Sequence, residues 1–131
     1  MFKDFDELTQ GEKSQIHRCH LTPPFYVSLV KYEFVTSINT YIYYVEVGLK
    51  MDANTVVIKK FNKRYSEIYD FWYKLLSKYD ILKDEVFPGK LWFNRNNEEK
   101  IRNRFEKMKK CLSKLCEIND NTIIQYIIDE K

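Results

Sequence analysis

The side-chain pattern of this chain changes period once, at Arg64–Tyr65, and no other feature constrains the fold as strongly. Before that point apolar and aromatic residues alternate with period two; after it they recur every three to four residues. In 25–35, Tyr26, Ser28, Val30, Tyr32 and Phe34 alternate with Val27, Leu29, Lys31 and Glu33, which predicts a strand. Tyr41–Lys50 and Thr55–Phe61 have the same Tyr, Ile and Val richness and predict two more. The connections 36–40 and 51–54 are short, so the three strands form an antiparallel meander. Beyond the switch, Ile68, Phe71, Trp72, Leu75, Leu76 and Tyr79 share one helical face. Ser66 is the expected N-cap of this helix, which runs to about Tyr79, with Glu67 and Asp70 favouring its dipole.

Residues 80–97 read as a long loop holding Pro88 and Gly89, and long loops in small domains usually carry function. Asn96 and Glu99 suggest a capping-box start for the next helix, with Ile101, Phe105, Met108, Leu112 and Leu115 as its buried stripe. Asn119-Asp120-Asn121 ends it, and Thr122–Ile128 forms a short last helix. The expected fold is α+β: a three-stranded antiparallel sheet packed against a helical subdomain of three to four helices. Residues 1–24 are a polar, partly ordered leader ending in Leu21-Thr22-Pro23-Pro24, and 25–131 form the domain.

A chain of 131 residues, 44% of them hydrophobic, is one folded domain with a real core. Its net charge of +3 lacks the strongly basic signature of a bulk nucleic-acid binder but leaves room for a local basic patch. A stacking surface of Tyr41, Tyr43 and Tyr44 with Lys59 and Lys60 is disfavoured, because Tyr43 and Tyr44 point to opposite faces. Three cysteines, Cys19, Cys111 and Cys116, are an odd count and suit a reducing, cytosolic setting. No apolar run reaches transmembrane length. The acidic start has no signal-peptide core, and Phe2 stands where myristoylation needs glycine. Membrane contact, if made, is expected from the surface.

Catalytic patterns are missing. With 3 Gly the chain can hardly build a phosphate loop, and no Ser-His-Asp or paired-carboxylate arrangement stands out. His17, Cys19 and His20 lack the second cluster that a structural zinc site needs. No enzyme, metal or cofactor is expected.

The chemistry lies in two segments. Arg64-Tyr65-Ser66-Glu67 combines a guanidinium fork suited to phosphate, a flat aromatic face, and a helix start that attracts negative charge. Phe87-Pro88-Gly89-Lys90-Leu91-Trp92-Phe93 is a basic and aromatic loop suited to face it. Trp and Phe are at home at headgroup level in a membrane interface.

The element order and three of these segments resemble the PX (phox homology) domain, over roughly Phe25 to Glu130. The resemblance implies that Arg64 grips the 3-phosphate of a phosphoinositide and that Tyr65 stacks beneath the inositol ring. It implies that Lys90, two residues after Pro88, contacts the 1-phosphate. Leu91, Trp92 and Phe93 would follow as the side chains that dip into the bilayer. On the next helix it implies an arginine for the 4- and 5-hydroxyls; the spacing to Met108 selects Arg104, with Arg102 the competitor. The chain departs from the family pattern at Gly89, where a second proline is common, and at Glu85, where the first proline of a Pro-x-x-Pro pair would stand. The implied function is to recruit a host protein to phosphoinositide-bearing membranes. Phosphatidylinositol 3-phosphate is the favoured lipid and endosomal or vacuolar surfaces the location, within a larger trafficking protein or complex. The other reading is a PX fold that serves protein interaction with weak or no lipid specificity.

Overall fold

The computed structural model describes residues 1–89 and 97–129. Four strands, β1 (Phe2–Asp4), β2 (Phe25–Val35), β3 (Thr40–Lys50) and β4 (Thr55–Arg64), form one antiparallel sheet in the order β1-β4-β3-β2. The helices are α1 (Gln10–Arg18), α2 (Tyr65–Leu76), α3 (Glu98–Ser113) and α4 (Thr122–Asp129). The fold is α+β, and β2–β3–β4 is the meander that alternation implies. The sheet has four strands rather than three, because Phe2–Asp4 pairs along β4 at Thr55–Val57. Three residues with no clear alternation carry no local strand signal; the exposed backbone edge of β4 recruits them.

Alternation sorts the sheet into two faces. One carries Val27, Leu29, Tyr43 and Val47 into the main core, where they meet Ile68, Trp72 and Leu75 of α2 and Phe105, Met108 and Leu112 of α3. Burying each large apolar side chain there contributes about 1.5–3 kcal/mol. A bulge between Leu29 and Lys31 shifts the register of β2 against β3. The extra residue turns the strand over, so the inward positions change from odd (Phe25, Val27, Leu29) to even, and Tyr32 joins the same core. Simple alternation across 25–35 does not anticipate that phase change.

The other face has its own small core of Leu8, Ile16, Tyr26, Val56 and Ile58, with Phe5 packed against it. Tyr26 faces Gly48 across the strands, and a Cβ at Gly48 would lie 2.0 Å from the Tyr26 ring. Glycine is present there because the ring occupies the side-chain space. The Tyr26 hydroxyl donates to Glu46 Oε2 at 2.6 Å, and Lys3 Nζ reaches the same oxygen at 3.2 Å. Burial, reinforced by that carboxylate, holds the Tyr26 phenol far above its ordinary pKa.

Most of the polar leader is therefore built into the fold. Thr9 and Glu12 form a capping box that starts α1: Glu12 N–H donates to Thr9 Oγ1 at 3.2 Å and Thr9 N–H to Glu12 Oε1 at 2.9 Å. From α1, Gln15 reaches β2 and copies a strand partner. Its Nε2 donates to the Val27 carbonyl at 3.1 Å, and its Oε1 accepts from the Val27 N–H at 2.8 Å. The amide satisfies the outward backbone groups of the edge strand at that residue.

Candidate functional site

The site forms where β4 becomes α2. Ladder pairing with β3 carries β4 beyond the expected Phe61 to Arg64, which lies opposite Ile42. Arg64 is still extended, with φ −80 and ψ 159, and its N–H donates to Glu67 Oε1 at 2.9 Å. Arg64 therefore occupies the N-cap position expected for Ser66. Cross-strand pairing holds the backbone in β geometry up to Arg64, and the bond from Arg64 N–H to Glu67 Oε1 starts the helix directly after it, at Tyr65. Ser66 is an exposed residue of the first turn. At the far end α2 stops at Leu76 rather than near Tyr79.

Lys63 and Arg64 are separated by the pleat. Lys63 lies opposite Tyr43 on the core-facing side and is only 8% exposed. It lines an apolar cleft with Val45, Phe61, Ile68 and Phe71. Arg64 is exposed.

Tyr65 is 8% exposed, so its ring is not the open platform a sequence reading suggests. The ring centroids of Phe87 and Tyr69 each lie 5.9 Å from that of Tyr65. The Tyr65 hydroxyl donates to the Pro88 carbonyl. Phe87 is itself buried against Trp72, with ring centroids 5.7 Å apart. The start of the proline loop is thereby fastened to α2 beside Arg64. Burial pushes the Tyr65 phenol up to about 12, although the nearby Arg104 charge pulls the other way.

Of the two arginines near the start of α3, Arg104 meets Tyr65. Its guanidinium carbon lies 4.4 Å from the Tyr65 ring centroid, within cation–π range. Its Nε and Nη2 donate to the Tyr43 hydroxyl at 3.2 and 2.7 Å. Tyr43 is fully buried on β3; burial raises its pKa and Arg104 opposes the rise. Arg102 instead lines a shallow pocket with Tyr32, Tyr41, Glu98 and Ile101. Among the described residues neither Arg64 nor Arg104 has a carboxylate within salt-bridge distance; the four ion pairs all use other side chains. The result is two unneutralised guanidinium groups, one beside Tyr65 in the chain and one on its ring.

Lys90, Leu91, Trp92 and Phe93 lie outside the described residues. The capping residue of α3 is Asn97, whose side chain accepts from Lys100 N–H at 3.2 Å, one residue later than the expected Asn96. Tyr43 is a site residue that sequence reasoning weighed only for a disfavoured stacking surface. Its only signal was an inward position on β3, and Arg104 is 61 residues away. Among the described residues there is no group of three His, Cys, Asp or Glu that could hold a metal, and no helix long and apolar enough to cross a membrane.

Comparison with known proteins agrees with this architecture. The PX domain of mouse SNX19, solved with a bound sulphate ion, superimposes with a TM-score of 0.55 at 16% identity, covering 79% of this chain and 95% of that one. A designed CISK-PX domain does so with a TM-score of 0.55 at 20% identity, covering 76% and 95%. At such identities the likeness is one of fold. No curated protein sequence matches the chain significantly. The PX domain family model matches residues 53–125, more than half of the chain, and spans β4, α2, α3 and the first half of α4. The chain belongs to the PX domain family.

Proposed function

We propose that this domain binds phosphatidylinositol 3-phosphate and brings its host protein to endosomal or vacuolar membranes. PX domains are, as a family, phosphoinositide-binding modules that target membranes rather than catalysts. The observation that carries the reading here is that, among the described residues, neither Arg64, next to Tyr65 in the chain, nor Arg104, on the Tyr65 ring, has a carboxylate partner. Arginines left unneutralised beside a buried aromatic cluster suit a multiply hydroxylated anion, which the fork geometry of guanidinium binds through paired N–H donors.

In this reading Arg64 holds the 3-phosphate and Arg104 the ring hydroxyls, with Tyr65 shaping the floor between them. Lys90 follows Pro88 by two residues and supplies the 1-phosphate contact. Leu91, Trp92 and Phe93 enter the interface beside it, contributing ~2–3 kcal/mol per large ring by buried area. Exposed lysines of α3, including Lys107, Lys109 and Lys110, add attraction to anionic lipid of ~1 kcal/mol each close to the surface. Single membrane signals are marginal, so headgroup binding, insertion and charge act together.

Liposome co-sedimentation across singly and multiply phosphorylated phosphoinositides, comparing wild type with Arg64→Ala, tests the proposal. Wild type is expected to pellet with phosphatidylinositol 3-phosphate vesicles, and Arg64→Ala to remain in the supernatant while keeping its fold. Binding that ignores phosphoinositide, or survives the mutation, overturns it.

A further inference from the structure

We propose that Tyr43 is a positioning residue that sets headgroup selectivity by fixing Arg104, an inference that rests on the phosphoinositide reading of the site. An arginine side chain has many rotamers and its guanidinium offers five N–H donors in a rigid plane. Two restraints act on it here. The Tyr43 hydroxyl accepts from both Nε–H and an Nη2–H, and the Tyr65 ring centroid lies 4.4 Å from the guanidinium carbon. Together they define the plane of the fork and the edge from which it is held. The remaining N–H donors, on Nη1 and the rest of Nη2, are left to face a ligand.

The choice of tyrosine matters electrostatically. A carboxylate in its place would restrain the fork equally well but neutralise it, weakening attraction for phosphate. A buried phenol accepts the same hydrogen bonds while remaining uncharged, and Tyr43 is fully buried, with Phe105 stacked 6.4 Å away and Tyr32 6.1 Å away. The acceptor is therefore itself held rigid. A fork whose distance from the ring is preset discriminates a hydroxylated edge from one bearing an extra phosphate, since the bulkier group needs the guanidinium to withdraw.

The test compares wild type, Tyr43→Phe, Arg104→Lys and the double variant. Each is measured on phosphatidylcholine vesicles containing phosphatidylinositol 3-phosphate or a bisphosphate with an added 4- or 5-phosphate. Tyr43→Phe keeps the ring in the core, and thermal unfolding checks that it folds. It is expected to lose about tenfold in binding to the monophosphate, the scale of a hydrogen bond to a charged group, and less for the bisphosphates, so that selectivity narrows. The Arg104 Nε–H resonance is expected to be protected from exchange in wild type and to lose that protection in Tyr43→Phe. In the Arg104→Lys background Tyr43→Phe is expected to add little, which is the coupling of a residue acting through another. Equal affinity and selectivity in Tyr43→Phe, an unchanged Nε–H signal, or additive losses would overturn the positioning role. Failure of wild type to bind any of these vesicles would instead overturn the reading of the whole site, and the proposal with it.

Discussion

The guanidinium carbon of Arg104 sits 4.4 Å from the Tyr65 ring centroid, while two of its N–H groups bind the Tyr43 hydroxyl. The floor of the candidate site is thus a cation resting on an aromatic ring, not a bare ring. Lysine carries the same charge but cannot present a planar fork to both neighbours. Arg104→Lys is expected to lose tenfold or more in vesicle binding, and Arg104→Ala to lose at least as much, with unfolding midpoints close to wild type. Flotation of vesicles with each variant checks this; a lysine variant that binds like wild type would show that charge alone suffices.

Gly48 lies under the Tyr26 ring, and a methyl group there would come within 2.0 Å of it. Tyr26 is fully buried and tied to Glu46, so it cannot swing aside without breaking that bond. Gly48→Ala is expected to destabilise the domain by about 1–3 kcal/mol, the usual cost of overpacking. Urea denaturation measures it. The strain is on the sheet face opposite Tyr43, so lipid binding by the folded fraction should be unchanged.

Gln15 holds α1 to the sheet through both backbone groups of Val27. Gln15→Leu leaves that N–H and carbonyl without partners, each costing about 1–3 kcal/mol where water is excluded. The expected signature is local: amide hydrogen exchange at Val27 accelerates well before exchange in the middle of β3. Unaltered protection at Val27 would mean that α1 contributes little to the edge.

Burial pushes the thiols of Cys111 and Cys116 up to about 11, from an ordinary value of 9.0. Both are inside the core, and Cys19 is buried too. At pH 8 a thiol reagent should label the native protein slowly and all three cysteines once it is unfolded in denaturant. For Cys111 and Cys116, thiolate formation is suppressed in addition to access being blocked.

The same shifts give a direction for alkaline stability. Cys111, Cys116 and Tyr65, the last pushed up to about 12 from 10.0, keep protons in the folded chain that the unfolded chain releases. Their contribution is complete below pH 9, and stability falls as pH rises from there through 11 and 12. Unfolding midpoints measured from pH 8 to 11 should decline; a rise across that range would contradict the assigned burial.

How much of this was readable beforehand differs from element to element. β2 spans Phe25–Val35 as its alternation indicates, and α3 carries the buried stripe Ile101–Phe105–Met108–Leu112 that helical spacing marks out. These signals are local: a residue's face follows from its neighbours within a few positions. The capping box Thr9–Glu12 was equally local and marks the start of α1, yet the polar composition around it suggested a leader. The buried residues of α1 are Glu12, Gln15 and Ile16, two of them polar, so hydropathy underreports how firmly the helix is held.

By itself the sequence determined the α+β class, the meander and the three helices after it, and it marked Arg64, Tyr65 and Arg104 as candidates for an anionic ring. Only the tertiary structure decided that β4 runs on to Arg64, that Lys63 turns into an apolar cleft, and that the Arg104 guanidinium meets the Tyr65 ring. It also brought in Tyr43 from 61 residues away. The reason is the range of the forces involved. Periodicity is set by steric preferences along the chain, whereas these contacts exist because the sheet and α3 must close over one core. Which polar atoms then meet follows from that closure.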